Sequence, residues 1–163
     1  MMHQDAGQPV PYMERTRHYY RALGYGKDYV WARNEETPFM RLTKPLSDCT
    51  VALITTAGPP GLSNRDGRGR KHVWSGSIAN PPQAFDTDLA WDKEATHTDD
   101  RETFLPIDAL QRLVSEGVVG GLAERFHGAP TDYSHRKTTE HDAPALLRRI
   151  KEDKADIAVL SAL

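Results

Sequence analysis

The sequence predicts an α/β layered domain with parallel strands, and three observations carry that expectation. Two short runs, Thr50 to Thr56 (TVALITT) and Ile157 to Leu160 (IAVL), are apolar without alternation, as strands covered on both faces are. Between them, apolar residues recur at helical spacing in two segments, 106–116 and 143–152. The second segment passes through a short charged turn, Lys151-Glu152-Asp153, straight into the second strand. Helix, turn and buried strand in that order are the closing half of a parallel crossover unit.

Composition sets the limits. The chain has 163 residues, room for one domain, and its 21 Lys+Arg against 23 Asp+Glu leave a formal net charge of -2. Bulk charge therefore excludes a strongly basic nucleic-acid binder and an acidic tail protein. No apolar run approaches the ~20 residues needed to cross a bilayer, and Met1 to Val10 lacks a signal peptide's apolar stretch. The single cysteine, Cys49, excludes an internal disulfide framework and a Cys₂ or Cys₄ zinc site within one chain. These features set the expectation of a cytoplasmic protein with no nucleic-acid partner and no membrane partner. Leu, Ile, Val and Phe make up 31 residues, which predicts a lean core. A second chain, or sequence following Leu163, is expected to complete the burial.

Taken in order, residues 10–23 (VPYMERTRHYYRAL) are read as a helix, with Pro11 tolerated in its opening turn and Gly24 stopping it. Residues 25–44 are polar and irregular, with Trp31 and Phe39 as isolated anchors. The strand over 50–56 follows. From Gly58 to Thr103 only Leu62, Val73, Ile78, Phe85 and Leu89 belong to the Leu, Ile, Val, Phe set. This stretch, 58–103, is read as a long irregular insertion: a lid, a partner-binding arm or an unrecognised β-insertion. Ile107, Leu110, Leu113 and Val114 share one helical face, giving a helix over 106–116 that Gly117 closes. A Gly-rich link and a polar, His-bearing stretch from Glu124 to Asp142 come next. Asp142 is placed to cap the helix over 143–152, with Pro144 in its first turn. The second strand, 157–162, ends the pattern of a single domain spanning 1–163.

Candidate chemistry is thin. Gly58-Pro59-Pro60-Gly61 follows a strand, where an anion or substrate loop belongs, but it matches no dinucleotide or phosphate fingerprint. Its two prolines also remove donors, so it is either a structural turn or a substrate-side loop. Thr96-His97-Thr98-Asp99-Asp100 places a histidine beside carboxylates, either as a proton-transfer pair or as a cap on the turn before the 106–116 helix. His127, His135 and His141 with Asp132, Glu140 and Asp142 fit no standard metal spacing, so no metal site is assigned. Arg65, Arg68, Arg70, Lys71 and His72 with Trp74 read as a solvated loop, the alternative being a contact with phosphate or RNA. Cys49, beside Asp48, reads as a buried filler, and Ser75, Ser77 and Ser115 lie outside any Gly-x-Ser-x-Gly turn.

Several segments together resemble one family. They are Val10-Pro11-Tyr12-Met13-Glu14-Arg15-Thr16, Lys44-Pro45-Leu46-Ser47 running into Val51 to Gly58, and Leu105-Pro106-Ile107-Asp108 with Leu110. Glu116 to Ala123 and Ile150-Lys151-Glu152-Asp153 with Asp156 to Leu160 complete the set. In this order they resemble the N-terminal part of the selenoprotein B subunit of the glycine, sarcosine, betaine and D-proline reductases. The resemblance implies a flavodoxin- or Rossmann-like α/β fold, incomplete without a C-terminal half or partner chain. It implies reductive cleavage of a carbon–heteroatom bond in a small molecule. The redox selenocysteine or cysteine would lie beyond Leu163 or on a second subunit, since the family carries it directly after the strand matching 157–160. No cofactor is expected in this chain. A product ended at a UGA codon and a naturally split subunit both fit the pattern. By the same resemblance His97 acts in proton transfer with Asp99 orienting it, while Gly58, Thr56 and Asp100 line the substrate site. The expected partners are a small-molecule substrate and either a homo-oligomer or a redox-bearing subunit. The rival expectation is a non-catalytic ligand-binding or interaction module; a metal-dependent hydrolase built on the three histidines is a weaker third.

Overall fold

The computed structural model describes residues 11–28, 30–87, 98–132 and 134–163. The chain divides into two compact units, Met1–Phe39 and Met40–Leu163. In the first, helix α1 spans Tyr12–Ala22, where residues 10–23 are read as helix. It buries no residue. Arg21 grips Asp28 through Nε and Nη2, Arg17 stacks 5.0 Å from the Trp31 ring, and Tyr20 meets Tyr25 edge to face.

The second unit is α/β, with a mostly parallel sheet of five strands: β1 (Thr50–Thr55), β2 (Trp74–Ser77), β3 (Gly121–Leu122), β4 (Arg125–Gly128) and β5 (Ile157–Ser161). Strand β1 is central. It pairs in parallel with β5 on one side and with β3 and then β4 on the other, while β2 adds antiparallel to β4. Between its anchor points β1 advances from Thr50 to Ile54, but its neighbour runs from Gly121 to His127. The two extra residues bulge out at Ala123-Glu124. Close approach explains one glycine here: a Cβ on Gly120 would lie 2.7 Å from the Ser47 carbonyl oxygen.

Helices α2 (Ile107–Ser115) and α4 (Ala143–Glu152) lie on opposite faces. The topology requires it. The chain steps from β1 to β3 in one direction and from β4 to β5 in the other, and right-handed crossovers in opposite directions cover opposite faces. Accordingly Ile107 and Leu110 of α2 pack with Leu53 and Phe126, whereas Arg149 of α4 reaches Ser75, which is paired with His127. The α2 face holds the core: Leu53, Ala57, Ile78, Phe85, Phe104, Leu105, Ile107 and Phe126. Glu102 fixes the start of α2 by accepting from the N–H groups of Asp108 and Ala109. Burial alone would raise that carboxyl, but these two bonds and Arg101 hold it below its usual value.

Within 58–103, read as a lid, an arm or a β-insertion, lies the strand β2. Two local expectations are corrected. The polar stretch from Glu124 contains β4. The two strands hold each other by reciprocal pairs: Trp74 lies over Gly128 and Phe126 over Gly76. A Cβ on Gly128 would meet the indole at 1.7 Å. Asp142 does not cap α4 either. A short helix α3 (His135–Lys137) runs through a π turn, Thr138–Asp142, directly into α4. Pro144 has no N–H to bond the preceding turn, so the helix widens instead of ending. The Asp142 side chain is buried, 3.5 Å from Lys137 Nζ. Among the described residues no helix is long and apolar enough to cross a membrane.

Candidate functional site

In an open α/β sheet a site belongs beyond the carboxyl ends of the parallel strands. Here that edge carries a crevice lined by Thr56, Gly58, Leu62, Asn64, Lys71 and Thr131, among others, with room for about one water molecule (10 Å³). Thr56 follows β1, and its Oγ1 accepts a 2.8 Å bond from the Leu163 N–H, so the end of the β5 segment sits against the crevice wall. Gly58 exchanges backbone bonds with Asp86, at 2.7 and 3.1 Å, and a Cβ there would fall 2.9 Å from the Asp86 carbonyl oxygen. Asp86 Oδ2 also takes the Gly61 N–H, so the Gly58–Gly61 loop is held as a tied turn.

Lys71 supplies the crevice's cation. Its side chain is 12% exposed, and Nζ donates to the Thr131 carbonyl at 2.9 Å with Asp132 3.8 Å away. Lys137 Nζ donates to the Lys71 carbonyl and to Asp132, tying the π-turn helix to the same rim. The loop carrying the arginines closes as a small antiparallel bridge between Arg65 and Lys71. Asp66 at its tip takes the N–H groups of Arg70 and Arg68 and the Arg70 guanidinium, which pull its carboxyl down to about 2. Trp74 is not part of that basic loop; its indole donates to the Ala57 carbonyl and packs in the core.

Of the residues assigned to the site, Thr56 and Gly58 are brought together at the crevice. His97 lies outside the described residues. Asp99 is exposed, and Asp100 caps the 3₁₀ turn Arg101–Thr103 by accepting from the Glu102 N–H. Neither belongs to the crevice lining described above. Among the described residues no three His, Cys, Asp or Glu side chains gather as a metal site. His135 and His141 are exposed on the helix, while His127 is buried in the sheet. Cys49 is buried, with Sγ 3.3 Å from the Pro45 carbonyl oxygen.

A dense polar arrangement among the described residues is one that motif reading missed. On the α4 face, Ser75 Oγ is 2.8 Å from His127 Nδ1, and His127 Nε2 is 2.9 Å from Asp153 Oδ2. Arg125 donates to the other Asp153 oxygen through Nε and Nη2, and Arg149 Nη1 donates to Ser75 Oγ at 2.6 Å. A carboxylate only accepts, so Nε2 bears the imidazole hydrogen; the Ser75 hydroxyl then donates to Nδ1. Burial pushes His127 down. Asp153 opposes that shift, while Arg125 and Arg149 add to it. The order Ser–His–Asp is that of a hydrolytic relay, but the imidazole is wholly covered and the serine oxygen is already engaged by Arg149. The larger groove nearby, about 520 Å³, opens at Ser77, Gln111, Leu122 and Glu124 and does not include Ser75. The network therefore binds α4 to the sheet and offers no place for a reacting carbonyl.

No family model, curated protein or solved structure matches the chain.

Proposed function

We propose that the chain is a component of a selenoprotein B-type reductase that cleaves a carbon–heteroatom bond in a small molecule. On this reading the second unit is a flavodoxin- or Rossmann-like layered domain, completed by a C-terminal half or by a partner chain. The observation that carries the proposal is the bond from the Leu163 N–H to Thr56. It brings the end of β5 to the crevice formed by Thr56, Gly58 and Lys71. A selenocysteine or cysteine that follows β5, or that a second subunit supplies, would enter at that edge. Thr56 and Gly58 would bind the substrate at the crevice, and His97 oriented by Asp99 would move the proton. A cytoplasmic setting suits a chemistry that draws on reduced thiols.

The unpaired side of β5 supports a missing neighbour. Among the described residues its only strand partner is β1, and Ala158 and Leu160 are exposed on it. Neither a charge nor a proline blunts that edge. A non-catalytic ligand-binding or oligomeric module is the alternative, favoured by the narrowness of the crevice.

The test is purification from the native host grown with selenium. Intact mass and thiol-dependent reductive cleavage are then measured together. The proposal expects a species heavier than 18.3 kDa, or a co-purifying chain with a redox selenocysteine or cysteine, and turnover that alkylation abolishes. An 18.3 kDa protein alone, without thiol-dependent turnover, overturns it in favour of the module.

A further inference from the structure

We propose that His127 is a proton-operated latch: uptake of one proton by its ring releases α4 while the sheet and its α2 side stay packed. The inference concerns how α4 is held and is independent of the reduction proposed above.

Helix α4 depends on polar contacts to an unusual degree. It has no buried residue; Leu146 and Ile150 are half-buried and Leu147 is exposed. Its bonds to β2 and β4 run through Arg149 to Ser75, Glu152 to Arg125, and the following Asp153 to Arg125 and His127. Five of these six groups keep at least some contact with solvent; His127 alone is fully covered. The groups around the ring are Arg125 on its own strand, Ser75 on β2, and Arg149, Glu152 and Asp153 from the α4 segment. On β1 the residue in register is the apolar Ile54.

With the imidazole neutral, two guanidinium groups face two carboxylates and the charges balance. Protonation adds a third cation at the one position that water does not reach. It also turns Nδ1 into a donor aimed at the Ser75 oxygen, which already accepts from Arg149, and the serine hydrogen loses its acceptor. Once α4 has lifted, the ring titrates near its ordinary value of about 6.5. The closed ring takes its proton only at lower pH, because burial depresses it. The latch is therefore fully closed above about 6.5 and loosens as the pH falls from there toward the closed-state value.

Hydrogen exchange on the full chain at pH 7.5, 6.5 and 5.5, corrected for intrinsic rates, tests this. Amides of 143–152 should lose up to about tenfold protection per pH unit below about 6.5, while amides of 107–115 keep theirs. His127→Gln, which keeps a donor for Asp153 and cannot titrate, should remove the pH dependence. If that variant fails to fold, an NMR titration of the wild-type imidazole carbons replaces it, with His127 expected to titrate below 6.5 in step with shifts in α4. The proposal is overturned by pH-independent protection of 143–152, by equal loss in 107–115, by a pH dependence that persists in the folded variant, or by a His127 titration at or above 6.5.

Discussion

Phe126 and His127 are neighbours on β4, both wholly buried, and they face opposite sides of the sheet. Behind Phe126 lies a dry aromatic cluster: Trp74 at 5.3 Å edge to face, then Phe85, which in turn meets Phe104 at 5.3 Å. Behind His127 lies a chain of charge-assisted bonds. The α2 side is held by area removed from water, which tolerates pH and fails on loss of volume. The α4 side is held by partners that must all be present at once, since each buried polar group is costly when left alone. One strand thus joins a face that is sensitive to shape to a face that is sensitive to charge.

The largest effect should come from emptying the dry side. Phe126→Ala removes the ring that covers Gly76 and is expected to cost about 3–5 kcal/mol in urea denaturation; a loss below about 1 kcal/mol would mean that the aromatic cluster does not hold the sheet. On the polar side, Asp153→Ala strips the acceptor from both Arg125 and His127, and about 3 kcal/mol should be lost at pH 7.5. Gly128→Ala should sharpen the contrast by forcing the Trp74 ring aside, costing about 1–3 kcal/mol with a changed near-ultraviolet Trp signal and little change in His127 titration. Ser75→Ala should cost about 1–2 kcal/mol, because the buried His127 Nδ1 loses its donor although the Arg149 guanidinium can still find water. The smallest effect belongs to neither face. Asp66 should titrate near 2 by NMR, so the bonds it makes to the 68–70 backbone persist above its unfolded value near 3.8 and are lost only as the pH falls through about 2.

Elements built from local pattern were legible in the sequence. The β1 and β5 strands are continuous apolar runs, and α1, α2 and α4 fall within the segments read as helices. Strands β2 (WSGS) and β4 (RFHG) were not, because each is four residues long with glycine where strand propensity wants a side chain. Their pairing is paid for across about fifty residues by two aromatic–glycine contacts that no local window contains. Asp100 behaves as the cap that the pattern allowed, whereas Asp142 does not, since Pro144 widened the helix instead of starting it. Thr56 and Gly58 could be placed by strand-end logic alone. Lys71, Asn64 and Thr131 joined them through loop closure, and Ser75, His127 and Asp153 through sheet register; neither leaves a spacing to search for.

The thiol of Cys49 lies at the entrance to β1, completely covered, and it is the only one in the chain. A chromogenic disulfide added to the native protein can therefore react only as fast as that end of the central strand is uncovered. The chain thus carries its own stopwatch: with reagent in excess, the rate of colour development times how often the entrance to the central strand is uncovered, with no label added.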